Sequence, residues 1–475
     1  MFRSLYILLV YLSFIGMGTV APFVLSLGYI WVSVFRPQQI AYILLPSIPV
    51  SMIMGALAFG AYLLMDRRAP PRLNLTLILT LLWGGWITLT TIFLAVAPEP
   101  AWEKWDWAVK NVLFSAFIPF VIRSRVQIEA FLQVYLFGLA IHILPTGLKT
   151  MISGGGYGRE LGLVGGNTGF GEGSTLATAS IMMIPVIIWL MKYNVLMPRM
   201  KLVRLMYMGL AVVALACTVG TYSRTGLIGM VVVGGVMWFR SQQKVLFSLV
   251  ILAGMALVGV IASEKWEERV STIKDTSENS TLGRILVWQW TLRYVASNPL
   301  GGGFDSYRIS EITMPSAGGV GEGEVIIGKA FHNSYIEALG EHGYPGLALF
   351  LGLILCSVVS LQRTAAWAKR TEGMTWLRDL AIALQTALVT LVACGMFIGI
   401  AFQPMYYYIF ALSVCLTNYR RRAEVAAKET PALQAEGPAP APATSGGWRD
   451  RYGLGQGAAA SASGWSVPRV ARVVK

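Results

Sequence analysis

The chain has 475 residues, 55% of them hydrophobic and only 13% charged, with a mean hydropathy of +0.60 and a formal net charge of +14. A soluble domain carries roughly 25% charged residues, so a soluble enzyme is excluded, and the positive excess must be read against membrane topology before any nucleic-acid surface is inferred. The four cysteines, Cys217, Cys356, Cys394 and Cys415, fall in apolar runs with no CxxC spacing, which points to packing rather than a metal site or a disulfide framework.

In chain order, the apolar runs approach the ~20 residues that a helix needs to cross a bilayer. Met1–Phe35 reads as one long tilted span or as two short ones meeting near Gly16-Met17-Gly18, and no small-residue cleavage site marks it as a signal peptide. Further spans are expected at Tyr42–Met65, Leu73–Ala97, Trp107–Ile122, Ile128–Thr150, Ser174–Met191, Leu202–Tyr222 and Gly226–Phe239. Val245–Ala262, Tyr344–Leu361, Leu380–Ile400 and Phe402–Leu416 complete the set, for about 12 in all. The runs are too long and too continuous for the ~10-residue alternating segments of a membrane barrel. The expected fold class is an all-α polytopic integral membrane protein. It divides into an amino-terminal transmembrane bundle (1–262), a large outer loop (263–342), carboxyl-terminal transmembrane helices (343–418) and a disordered cytoplasmic tail (419–475).

Lys and Arg set the orientation. Arg67, Arg68 and Arg72, Arg123 and Arg125, Lys192 to Arg204, Arg240 and Lys244, Arg363 to Arg378, and Arg420 to Arg422 share one side if the spans alternate, and that side is the cytoplasm. The opposite loops lack this bias: the segment Pro98–Asp106 sets Glu99, Glu103 and Asp106 against Lys104. The charge excess is thus topological, and no nucleic-acid partner is expected.

Two outer segments stand out. Ser153–Ser174 is glycine-rich but matches no phosphate-binding fingerprint, and reads as a flexible connection before a ligand loop. The large loop holds a stretch with apolar Ile285, Trp288, Leu292 and Val295 on one helical face, ended by Pro299 and three glycines. A second short helix is expected in HNSYIEALGEHG, with apolar Tyr335, Ile336 and Leu339, stopped by Gly343 and Pro345.

The chemistry-bearing candidates lie on this side. Arg224 occupies an almost loopless outward turn, against the positive-inside trend, and competes with the bland reading of a side chain snorkelling to a headgroup. Arg284 opens the amphipathic stretch, where a solvated surface charge is the plain alternative, as it is for Arg293 and Arg308. His332, one of three histidines, precedes Asn333 at the start of a helix. An imidazole accepts a proton near neutral pH, and two guanidiniums hold a diphosphate through forked hydrogen bonds. Together they suggest displacement of a phosphate leaving group by a hydroxyl. No DxD pair offers the carboxylates of a Mg²⁺ or Mn²⁺ site, Asp305 and Glu311 being the nearest. No metal or other cofactor is expected.

An outward SRTG turn, then GR…W, NPLGGGFDSY and HNSYIEALGEHGYPGLALFL, in that order from about Thr218 to Phe350, resembles the O-antigen ligase and polymerase superfamily of bacterial envelope glycosyltransferases. The HNSY…G…G element is the most specific part of that likeness. The resemblance implies a GT-C-like fold and a metal-independent, inverting transfer of a glycan from undecaprenyl diphosphate, at the outer face of the inner membrane. It implies that Arg224 and Arg284 bind the diphosphate and that His332 activates the acceptor hydroxyl. Asn333, Tyr335, Tyr307, Arg159 and Asn167 follow as substrate-binding candidates, Asn167 standing where many relatives carry an Asn-rich turn that this chain lacks. Implied partners are the lipid-linked donor, membrane lipids, and a glycan, lipid A core or protein acceptor. The amino-terminal half looks most like the exosortase-associated O-glycosylation ligases. A polymerase extending the glycan on its carrier uses the same motifs. A transporter or flippase would instead bury ionisable residues in mid-span, whereas the notable charges here gather on one face.

Overall fold

The computed structural model describes residues 2–41, 45–66, 68–153, 170–241, 243–245, 248–249, 252, 281–314 and 323–435. It is mostly helical, with 79% helix and almost no strand. The contact pattern divides the chain into residues 1–417 and a smaller unit from Asn418 onward. Seven of the described helices are long and apolar enough to cross a membrane, so the chain is a polytopic membrane protein. The expected twelve or so spans are not all matched on that criterion, because several apolar runs are shorter helices and the expected span Val245–Ala262 lies largely outside the described residues.

Helix α1 (Phe2–Val20) and α2 (Phe23–Phe35) resolve the amino terminus into two helices. The break lies at Ala21-Pro22, not at the Gly16–Gly18 pair. Pro22 has no N–H to continue the ladder, whereas a helix carries isolated glycines through. A short α3 (Pro37–Ile40) precedes α4 (Val50–Met65), α5 (Leu75–Leu94), α6 (Pro98–Val121) and α7 (Arg125–Ser153). Helices α8 (Gly173–Tyr193), α9 (Lys201–Gly220) and α10 (Arg224–Arg240) follow. Residues 281–297 form α11. Then come α12 (Ser334–Lys369), α13 (Thr375–Cys394) and α14 (Pro404–Ala435). Helix α14 carries the chain in helical form past Tyr419, where the sequence reading began the tail.

Helices α7, α8 and α9 pack together, α13 joins α8, α10 and α12, and α12 lies along α5, which pairs with α6. Backbone polar groups in hydrocarbon must be satisfied within each segment, which helices do. Outward Leu9 and Leu12 on α1, Leu82 and Phe93 on α5, and Leu202 and Leu205 on α9 are exposed in the isolated chain. Such apolar faces suit lipid and would be a liability in water. Inside, Trp83 donates to the Tyr407 hydroxyl at 2.9 Å and stacks on Phe402, and Tyr406 donates to the Leu391 carbonyl at 2.8 Å, so these three buried polar tips are paired.

The basic loops collect at one end. Arg68 donates to the Val121 carbonyl, Arg125 to the Tyr193 carbonyl, and Lys192 pairs with Asp379, tying the ends of α4, α6, α7, α8 and α13 together. At the other end, Gly343 (φ 67°) kinks α12 into two helical pieces, as its Gly and Pro predict. The strap Pro299–Gly303 seats in that kink: Tyr344 N donates to the Pro299 carbonyl at 3.0 Å and Gly302 N to the Gly340 carbonyl at 3.1 Å. A Cβ on Gly301 (φ 84°) would stand 2.5 Å from the Gly343 nitrogen, so the strap requires glycine there.

Two features of the loop depart from expectation. A two-stranded antiparallel ribbon, β1 (Glu311–Met314) with β2 (Glu324–Ile327), lies between the helices. In α11 the buried positions are Gly283, Val287, Thr291 and Val295, while Ile285 and Leu292 are exposed, so the inward face is rotated from the apolar stripe read in the sequence.

Candidate active site

Arg224 is the first residue of α10, reached through Tyr222, whose φ of 47° lies in the left-handed region. Ser223 donates to the Ser174 hydroxyl at 2.9 Å, joining this turn to the start of α8. There the Glu172 carboxylate caps the helix, accepting from Ser174 N at 3.1 Å and Thr175 N at 2.7 Å. Arg284, half-buried in the first turn of α11, is within electrostatic reach of Arg224 and Glu172. Burial, then the like charge of Arg224, holds its pKa below the usual arginine value; a guanidinium still stays charged at neutral pH.

One turn along α11, Trp288 Nε1 donates to the Phe331 carbonyl at 2.8 Å. This fixes the residue before His332 to the helix that carries Arg284. On the other side, Asn333 Oδ1 accepts from Tyr335 N and Ile336 N and caps α12. Between these two anchors His332 adopts φ 47°, a conformation that costs energy and persists when its surroundings over-determine it. It lines the mouth of a cavity and is exposed there; partial desolvation and then the Arg284 and Lys329 charges hold its pKa below the ordinary histidine value. The imidazole is therefore neutral at pH 7 and able to accept a proton.

The cavity has a volume of about 390 Å³, within the roughly 300–1,000 Å³ of small-molecule sites. It is bounded by the first turns of α6 and α12, the start of α8, the 305–308 turn and the 398–403 connection. Ser334 holds that connection, donating to the Ile398 carbonyl at 2.8 Å and accepting from Ile400 N at 3.0 Å. In the wall, Lys104 Nζ lies 2.7 Å from Glu341, 2.8 Å from Glu337 and 3.5 Å from Asp305. Glu337 also accepts from Ala401 N at 3.1 Å, and Glu341 from Asp305 N at 3.0 Å. The place that a cation would take among three carboxylates is filled by the lysine. Among the described residues, no group of three or more His, Cys, Asp or Glu is placed to hold a metal ion.

Arg284 is within electrostatic reach of both Arg224 and His332, and Tyr307 stands in the cavity wall, edge-on to Phe331. Asn333 is 7% exposed and spent on capping, and the Tyr335 hydroxyl donates to the Val392 carbonyl of α13 at 2.7 Å. Arg159 and Asn167 lie outside the described residues. Arg308 pairs with Asp305, Arg293 is exposed on α11, and Glu311 is exposed on β1. Sequence reasoning passed over Glu172, Glu337 and Glu341. The available signal was spacing: Ser334, Glu337 and Glu341 form an i, i+3, i+7 stripe, a polar face on a helix about to enter the membrane.

Residues 209–351 match the O-antigen ligase family, and residues 2–195 match a family of unknown function, DUF5935. No curated protein matches the chain. The ligase match takes in the SRTG turn, α11, the glycine strap and the HNSY helix, and with it Arg224, Arg284 and His332. The match places residues 209–351 with the O-antigen ligase and polymerase superfamily, and that domain points to an enzyme of the glycosyltransferase type.

Proposed function

We propose that the protein is a ligase that moves a glycan from undecaprenyl diphosphate to an acceptor hydroxyl, at the periplasmic face of the inner membrane. The observation that carries this reading is His332, held in strained backbone at a cavity mouth with Arg284 in electrostatic reach and Arg224 in reach of Arg284. His332 takes the acceptor's proton as its oxygen bonds to the anomeric carbon. The bond from that carbon to the diphosphate oxygen breaks, and its electron pair leaves with the diphosphate. Attack from the face opposite the leaving group inverts the anomeric centre. Arg224 and Arg284 neutralise charge that grows on the leaving group through forked hydrogen bonds to its oxygens. Two cations supply the counter-charge, so the proposed step uses no metal. The collection of basic loops at the other end of the bundle supports a periplasmic site.

The test is an assay with the purified full chain, a lipid diphosphate-linked glycan and separate acceptors. Product on the acceptor, with matching release of the lipid diphosphate, is expected. Glycan that lengthens on its own carrier would replace the ligase reading with a polymerase.

A further inference from the structure

The cavity and the arginine pair are separate places, and they differ in charge. Of the three proposed reacting residues only His332 lines the cavity; Arg224 and Arg284 stand outside its wall. The cavity therefore offers room beside His332 that the two proposed diphosphate-binding guanidiniums do not line. A base must touch the acceptor hydroxyl while the leaving group departs from the far side of the anomeric carbon, so the cavity falls to the acceptor.

Its wall carries five carboxylates, from Glu103, Glu172, Asp305, Glu337 and Glu341, against the cations of Lys104 and Arg308. Lys104 is shared by three of those carboxylates and cannot neutralise them all. Glu341 is fully buried: Lys104 and Asp305 N hold its Oε1, and its Oε2, without a hydrogen-bond partner, lies 4.0 Å from His342 Nε2. Trp107 and Tyr307 add half-buried aromatic surface. A pyranose offers an apolar C–H face and a rim of hydroxyl donors. Aromatic rings take the first, and carboxylates accept short, strong hydrogen bonds from the second. A phosphate on the same sugar would meet like charge in a partly desolvated space.

We propose that this cavity is the acceptor subsite and that it selects an uncharged sugar over a phosphorylated one. The identity as acceptor site rests on the glycosyl-transfer reading above; the charge selectivity stands on the wall alone. The test uses the full chain in nanodiscs and a panel of short-chain alkyl glycosides (glucoside, galactoside, N-acetylglucosaminide), each paired with its 6-phosphate, with binding measured by calorimetry. At least one neutral glycoside should bind, with its 6-phosphate ten-fold weaker or worse. Glu337→Gln and Glu341→Gln should narrow that gap. Glu103→Gln, at an exposed position that cannot disturb folding, should narrow it too, by less. Arg224→Ala should leave neutral-glycoside binding unchanged. Equal affinity for the two forms, no binding by any neutral glycoside, or loss of neutral binding in Arg224→Ala would overturn the inference. Selective binding without any transfer from a lipid diphosphate donor would overturn the ligase reading and its acceptor label while leaving the charge selectivity intact.

Discussion

Replacing Lys104 with Met tests whether the acidic wall is a built part of the fold. The substitution keeps the aliphatic stem and removes an ammonium that lies 2.7 Å from Glu341 and 2.8 Å from Glu337, with those side chains 0% and 9% exposed. Breaking a buried pair by removing one partner costs about 3–5 kcal/mol, because the remaining charge is uncompensated. Each glutamate keeps one backbone donor, Asp305 N for Glu341 and Ala401 N for Glu337, so the loss belongs at the lower end, about 3 kcal/mol. Lys110→Met is the control: its partner Asp106 is one turn away on the same helix, both are exposed, and such pairs are worth at most about 1 kcal/mol. Thermal unfolding in one detergent at one scan rate should place Lys104→Met several degrees below wild type and Lys110→Met beside it. Lys104→Met/Glu341→Gln should recover part of the loss, since one of the stranded charges is gone. A Lys104→Met protein as stable as wild type would refute the reasoning.

Three further outcomes follow from the same geometry. His332 acts as a base only when neutral, and its pKa is depressed, so the acid limb of kcat/KM should fall below the ordinary histidine value of about 6.5. Lys329→Met removes a like charge, favours the imidazolium and should move that limb to higher pH; an unmoved or lowered limb would count against the assigned base. Cysteine introduced at Ser277 or Ser316 should react with an impermeant thiol reagent once the outer membrane alone is permeabilised, and labelling only after inner-membrane rupture would reverse the topology. Transfer should persist in excess EDTA, and loss that Mg²⁺ or Mn²⁺ restores would remove the arginine clamp from the mechanism.

The membrane class was legible because hydropathy is a local property, and Arg224 stood out as a candidate because an outward arginine in a tight turn breaks a topological trend. The kink at Gly343 was legible for the same reason, since Gly and Pro act on their own segment. What stayed hidden depends on partners far away in the chain. The burial of Glu337 and Glu341 depends on Lys104, more than 200 residues earlier, which sits between them. The inward face of α11 is set by Trp288 reaching the Phe331 carbonyl, not by its own apolar stripe, which leaves Ile285 and Leu292 outside. Strands of four residues are too short for an alternation to stand out, so the β1–β2 ribbon left no trace.

The central claim is a division of labour between one base and two diphosphate-binding arginines, and turnover and donor affinity measured separately on well-folded variants test it most directly. His332→Ala should lower kcat by about 10²–10⁴-fold, the usual contribution of a positioned base, and leave affinity for the lipid-linked donor near wild type. Arg224→Ala and Arg284→Ala should weaken donor binding as well as turnover, and Arg224→Lys should be impaired although it keeps the charge, because it loses the fork. Arg293→Ala, on the exposed side of α11, should be mild. Normal turnover in His332→Ala, or an Arg293→Ala defect equal to that of Arg284→Ala, would contradict the account.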